Sequence, residues 1–193
     1  MTRPHLSCQP LGVPAAEPLT LADLKAWLRL DGSDEDDLLV ALLTAARCAV
    51  VEAAGRRLVT QDWRMVLDAW PPDGILTLPL APVQAVTAVR VRDAAGGATV
   101  LPASAWLLDA SSDPPRLLLM GSPQAPGRRL GGIEVDLTAG YGPPAAVPEP
   151  LRMAVRLTAA CLYEHRGDGP DKAVAAVPPA AATLIAPFRR VRL

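Results

Sequence analysis

The sequence predicts an α+β fold, with a helical bundle core, a β-rich antiparallel insertion, and extended N- and C-terminal arms. Apolar residues recur at helical spacing towards both ends of the chain, short β-type runs are confined to its middle, and no helix-length segment separates those runs. Half of the 193 residues are hydrophobic but only 4% are aromatic. Leu, Val and Ala must therefore build the core, and such small side chains suit helices that approach one another closely.

The N-terminal segment 1–18 predicts an extended arm, because it contains four prolines and no apolar periodicity. A single domain is predicted to follow over 19–193. Its first helix is predicted over 20–30, where Thr20 offers an N-cap and Asp23, three residues later, completes an acidic variant of the capping box.

The second helix is predicted over 34–54, with Ser33 as its N-cap. Leucines and alanines recur at helical spacing along it, and Gly55 is expected to end it. Four acidic residues open this helix: Asp34, Glu35, Asp36 and Asp37. They lie at the positive end of the helix macrodipole, where negative charge is favoured.

The middle of the chain, 61–141, predicts a β-rich insertion. Segments rich in Pro, Gly, Ser and Asp separate its short apolar runs, as turns do. The strands are predicted to be antiparallel, because no helix lies between them to make a parallel crossover. The predicted strands are 63–67, 75–78, 83–91, 116–119 and 133–137.

Helical pattern returns after the insertion. A third helix is predicted over 148–166, since Pro148 and Pro150 suit a first turn and most faces of the segment are apolar. That composition predicts the centre of the bundle. A short fourth helix over 180–186 leads into the C-terminal arm, 187–193.

Charge and cysteine content exclude several classes of protein. A net charge of −1 and an isoelectric point near 6.1 argue against a general nucleic-acid binder. The three cysteines, Cys8, Cys48 and Cys161, form no CxxC pair, which favours a reducing cytoplasm.

No signal peptide and no apolar stretch of about 18 residues is found, so no membrane association is predicted.

One pair of residues raises the question of an enzyme. Cys161 and His165 lie four apart on one helical face, a spacing compatible with metal ligation. The other histidine, His5, lies in the arm, so a complete zinc set is hard to assemble, and core packing is the favoured role of Cys161. No metal, cofactor or catalytic residue is predicted. The alternative left open is a small cytoplasmic enzyme or regulatory protein that uses this face.

The C-terminal arm is the main candidate binding segment. Apolar side chains flanked by arginines suit docking onto an acidic partner, because Arg pairs bidentately with carboxylates; a frayed, solvated terminus is the alternative. The candidate residues are Phe188, Arg189, Arg190, Arg192 and Leu193. Asp34 to Asp37 and the pair Arg128 and Arg129 are candidates for contacts between subunits, although helix capping and solubility explain the acidic run more simply.

The order of these elements resembles the head-tail connector, or adaptor, proteins of tailed phages, of the gp6-like type. The resemblance extends over about 19–193, and the departures from the simplest members are the Pro-rich N-terminal arm and the size of the β-rich insertion. It is carried by residues 19–25, the acidic start of the second helix, 82–86, 140–142, 147–151 and 184–189.

The resemblance implies a non-enzymatic protein, made in the bacterial cytoplasm and located in the neck of a particle. Such proteins form a ring, commonly of twelve copies, between the portal protein and a stopper or tail-side neck protein. Their C-terminal segment typically engages the portal, and DNA would pass through the ring as cargo, without sequence readout. The particle is left open between a phage, a prophage and a gene transfer agent, and a stopper or tail-completion protein is an alternative.

Overall fold

The computed structural model describes residues 6–166 and 176–189, and these form an α+β fold with antiparallel sheets. The α+β prediction is confirmed. The helices are α1 (Leu21–Leu28), α2 (Asp36–Ala54), α3 (Glu149–Glu164) and α4 (Pro179–Ile185). The strands are β1 (Leu6–Pro10), β2 (Gln61–Leu67), β3 (Ile75–Thr77), β4 (Val83–Arg92), β5 (Ala98–Val100), β6 (Trp106–Asp109), β7 (Arg116–Leu119) and β8 (Ile133–Ala139).

The chain divides into two compact units. The β unit contains the described residues up to Val13 and Thr60–Gly140, and the helical unit contains Pro14–Val59 and the described residues from Tyr141 onwards. Each unit has its own cluster of buried apolar side chains. The sequence predicted one core made of helices; a second core exists because the strands alternate apolar and polar residues and so bury a face of their own.

The β unit contains two antiparallel sheets. One has the strand order β1-β2-β8-β4-β5, and the other has the order β3-β7-β6. Alternate residues of β2 and β8, among them Met65 and Val135, are fully buried, as are Leu117 of the small sheet and Val89 of β4. All four belong to one cluster, so both sheets contribute to the same core.

Strand β1 lies within the segment that the sequence predicted as an extended arm. Leu6–Pro10 pairs antiparallel with β2, from Leu6 opposite Leu67 to Pro10 opposite Trp63. Backbone hydrogen bonds to β2 hold this segment, and Leu6 and Cys8 pack against the cluster. The predicted arm, residues 1–18, has four prolines and no apolar periodicity, so the sequence gave no signal for a strand there. The strand forms because β2, which is more than 50 residues away, pairs with it.

The helical unit is built by four helices around leucine, valine and alanine side chains. The buried face of α2 includes Leu43 and Ala46, and that of α3 includes Leu151 and Ala154. The hydroxyl of Thr158, which is also buried in α3, donates to the carbonyl oxygen of Ala154 at 2.8 Å, so this polar group is satisfied within the helix.

The helix boundaries follow local capping chemistry. At α1 both bonds of the capping box form, since Asp23 N–H donates to Thr20 Oγ1 and Thr20 N–H donates to Asp23 Oδ2, each at 3.0 Å. Gly55 ends α2 in the left-handed region. Ser33 is not the N-cap of α2: its carbonyl accepts from Asp36 N–H in a preceding turn, and Glu35 occupies the cap position without a side-chain cap bond.

None of the described helices combines the length and apolar character that a membrane crossing requires.

Candidate assembly interfaces

The C-terminal segment is attached to the helical unit at Phe188. A short 3₁₀ turn, Ala186–Phe188, follows α4, and the Phe188 side chain is half-buried against the helical cluster. The Phe188 carbonyl accepts from Arg56 Nε at 2.8 Å. Arg189 is exposed. The remaining candidates for portal binding lie outside the described residues: Arg190, Arg192 and Leu193.

The acidic start of α2 is partly engaged within the chain. Asp36 pairs with Lys25 of α1 at 2.7 Å. Glu35 accepts hydrogen bonds from the hydroxyl of Tyr163 and, at 3.3 Å, from Arg166, so it connects the start of α2 to the end of α3. The bond to the Glu35 carboxylate raises the pKa of Tyr163, because ionisation would place two negative charges together.

The other candidates for contacts between subunits are exposed. Asp34 and Asp37 are exposed at the start of α2, and Arg128 and Arg129 are exposed in the loop between β7 and β8. The acidic residues belong to the helical unit and the arginines to the β unit. Pairing between them across neighbouring copies stays a prediction.

Cys161 and His165 lie together near the end of α3. Cys161 Sγ lies 3.7 Å from His165 Nδ1, and the same nitrogen lies 2.8 Å from the Cys161 carbonyl oxygen. A carbonyl only accepts, so this shorter contact is a hydrogen bond when Nδ1 carries the proton. Within residues 6–166 and 176–189, no group of three or more His, Cys, Asp or Glu side chains is placed to hold a metal ion.

A charged network crosses the polar face of the five-stranded sheet. Asp136 of β8 accepts two bonds from Arg64 of β2, at 2.7 and 2.9 Å, and one from Arg90 of β4, at 2.5 Å. Arg92 pairs with Glu134 at 2.9 Å beside it. Asp136 is only 7% exposed, and the bonds from Arg64 keep its pKa below the usual value. The network joins three adjacent strands.

This network was not predicted from the sequence, although the sequence contains a signal for it. Along β2, β4 and β8, charged residues alternate with the buried apolar ones, which places them on the opposite face of the sheet. Opposite charges on neighbouring strands then form cross-strand pairs. The strand register was needed to identify which residues meet.

We expect Asp136→Asn to lower the free energy of unfolding by about 2 kcal/mol at pH 7, since two arginines lose a nearly buried charged acceptor. Because the folded-state pKa is lowered, this stabilisation is present above the unfolded value of about 3.8 and is lost as the pH falls through the folded value. Urea denaturation of both proteins from pH 7 to pH 2.5 would measure it. A constant difference across that range would contradict the assignment.

The described candidate residues are charged side chains of the two units and the start of one C-terminal segment. The family model for "phage gp6-like head-tail connector protein" matches residues 18–94, which contain α1, α2 and β2 to β4. A search of curated protein sequences found no significant match.

Solved structures extend the similarity to nearly the whole chain. One similar chain, in the neck of an empty gene transfer agent (GTA) particle computed with C6 symmetry, is 35% identical over 97% of both chains, with a TM-score of 0.82. A chain in the virion of a native GTA particle is 36% identical over 96% of both chains, with a TM-score of 0.79. A third, in a native GTA neck computed with C12 symmetry, is 34% identical over 97% of both chains, with a TM-score of 0.79.

The chain belongs to the phage gp6-like head-tail connector family. This membership confirms the resemblance inferred from the sequence and the expectation of a structural connector of a phage-like particle.

Proposed function

We propose that this chain is the adaptor in the neck of a particle of the gene-transfer-agent type, where copies of it form a ring. The observation that supports the proposal is identity of 34–36% across 96–97% of both chains with components of such particles. The C6 and C12 symmetries of two of those necks support a ring of identical copies. Twelve copies agree with the C12 symmetry of one relative's neck.

The mechanism we propose is geometric. A closed ring of identical head-to-tail contacts needs two different surfaces on each copy, and it leaves a central pore. DNA would pass through that pore without sequence readout, which agrees with a net charge of −1 rather than a strongly basic chain. No catalytic step is needed for this role.

We further propose that the C-terminal segment binds the portal protein. Arg189 is exposed, and the chain continues from it with two more arginines and a terminal leucine, a composition suited to an acidic partner with an apolar pocket. Phe188 packs on the helical cluster, so the four helices would serve as the bundle core that carries this segment. The opposite side of the ring would receive a stopper or tail-side neck protein.

Co-assembly with the portal protein encoded beside this chain tests the proposal. The purified portal and full-length chain would be mixed and imaged by electron microscopy, and we expect a ring of this chain bound to one end of the portal. Cys161→Ala is the control and is expected to assemble like the unmodified chain. Binding to the tail-side protein but not to the portal would instead assign the chain as a stopper, and no binding to either would overturn the connector role in this neck.

A further inference from the structure

The outer face of the small sheet, β3-β7-β6, carries an exposed row of large apolar side chains. The apolar row consists of Ile75, Leu107, Leu118 and Met120, which are 39%, 59%, 37% and 52% exposed. The described residues contain eleven exposed large hydrophobic side chains, and four of them lie here. Single exposed apolar residues are ordinary, but a contiguous group on one face indicates an interaction site.

The strand register makes the row continuous. Leu118 of β7 lies directly opposite Ile75 of β3 on one side and opposite Leu107 of β6 on the other. Side chains directly opposite one another in antiparallel strands have Cβ atoms about 5 Å apart, so the three form one surface. Met120 follows Leu118 on the same face, and its N–H donates to the Ala105 carbonyl at 2.8 Å, which extends the surface by one further pair.

The row is not needed to build the core of the unit. Among the intervening residues of the same strands, Leu76 and Leu117 are buried in the β-unit cluster, and Leu119 is buried as well. The sheet is therefore apolar on both faces, while only one face is covered within the described residues of the β unit. A sheet with this pattern is expected to have its second face covered by another layer of protein.

An ion pair borders one end of the row, and its two charges neutralise each other. Arg116 and Asp109, the next cross-strand pair, form an ion pair at 2.6 Å. The bond from Arg116 and those from Ser111 and Ser112 hold the pKa of Asp109 well below its usual range. Because these two charges satisfy each other, the surface combines an apolar centre with a satisfied polar edge, which is the composition of a protein–protein interface.

We propose that the apolar row is a contact surface for a second copy of this chain, the next subunit of the ring. This inference rests on the function proposed above. The relative's neck with C12 symmetry places identical neighbours around a ring, so each copy has lateral surfaces that are permanently covered. Permanent interfaces are the more hydrophobic class, and the row has no unpaired charge to select an acidic or basic partner.

A photo-cross-linker at Leu107 would identify the occupant of the row. Particles would be produced in cells whose copy of this gene encodes p-benzoylphenylalanine at position 107, purified, shown by immunoblot to contain the chain, and then irradiated. Val100, which is 58% exposed on β5 of the other sheet, is the matched control position. We expect cross-linked dimers and higher multimers of this chain from position 107, and at least about tenfold fewer from position 100.

A charge substitution tests the same surface energetically. The melting temperature of the isolated Leu107→Glu chain is expected to lie within about 2 °C of that of the unsubstituted chain, since the side chain is mostly exposed. The number of copies of this variant per particle is expected to be at least about tenfold lower. Val100→Glu is expected to be incorporated normally.

Each other outcome contradicts the inference in a recognisable way. Cross-links from position 107 to the portal or to a tail-side protein would assign the row to that partner. Particles that contain the chain but give no cross-link, or normal incorporation of Leu107→Glu, would show that the row faces solvent. Unsubstituted particles that lack the chain would overturn the proposed function itself, and an immunoblot of those particles detects this case before irradiation.

Discussion

A chain that ends at Arg189 is expected to fold normally but to bind the portal at least about a hundredfold more weakly than the full-length chain. The deletion removes residues 190–193, which contain two arginines and a leucine. Hydrogen bonds to charged groups contribute about 1.5–3 kcal/mol each, so the loss of two arginines alone would cost about 3 kcal/mol or more, and about 1.4 kcal/mol is a factor of ten. Titration of immobilised portal with both chains would measure the difference.

The end point of this deletion follows from the structure. A chain that ends at Pro187 would also lose Phe188, whose side chain packs on the helical cluster and whose carbonyl accepts from Arg56. In that shorter chain a loss of stability could not be distinguished from a loss of binding, whereas the chain ending at Arg189 retains both contacts. Its thermal melting curve is the control. If the chain that ends at Arg189 bound the portal as tightly as the full-length chain, the portal would bind a different part of the molecule.

Leu151→Ala is expected to lower the free energy of unfolding of the helical unit by about 3 kcal/mol. Leu151 is fully buried in α3 within the helical cluster, and removal of a buried leucine side chain costs its transfer free energy and leaves a cavity. Urea denaturation followed by circular dichroism at 222 nm would report this unit, because the signal there comes mainly from helices.

Leu130→Ala is the matched control for that experiment. Leu130 is 74% exposed, so the same truncation is expected to change the free energy of unfolding by less than about 0.5 kcal/mol. Equal effects of the two substitutions would contradict the placement of Leu151 in a packed core.

The sequence predicted well those elements whose signals are local. The Thr20–Asp23 capping box and Gly55 mark helix ends by their own chemistry, and both act as expected. The strands that alternate buried and exposed residues were placed within a few residues of their observed ends, and β7 was predicted with its observed bounds. In these cases the residues that determine the structure are neighbours in the chain.

Elements that depend on distant partners were not predicted. Strand β1 exists because β2, more than 50 residues away, offers it an edge. Strand β6 was missed for another reason: it has three consecutive bulky apolar residues, Trp106, Leu107 and Leu108, with no alternation to reveal its two faces. The Arg64–Asp136–Arg90 network joins residues from three strands that are up to 72 positions apart. Its members were visible as alternating charges, but only the register brings them together.

The candidate binding residues show the same division. The composition of the C-terminal segment identified it as a candidate for binding, while its attachment through Phe188 and Arg56, 132 residues apart, required the fold. The apolar row was hidden because leucines on both faces of β7 gave no indication of which face is covered. Family membership was predicted from the order of individually weak motifs, and order along the chain is information that no single motif contains.

The attachment at Phe188 sets a length scale for the neck. An extended chain spans at most about 3.5 Å per residue, so the four residues after Arg189 reach no further than about 14 Å. Under the proposed portal contact, the portal groups that bind residues 190 to 193 are therefore expected within that distance of Arg189, on the side of the helical unit where Phe188 is attached.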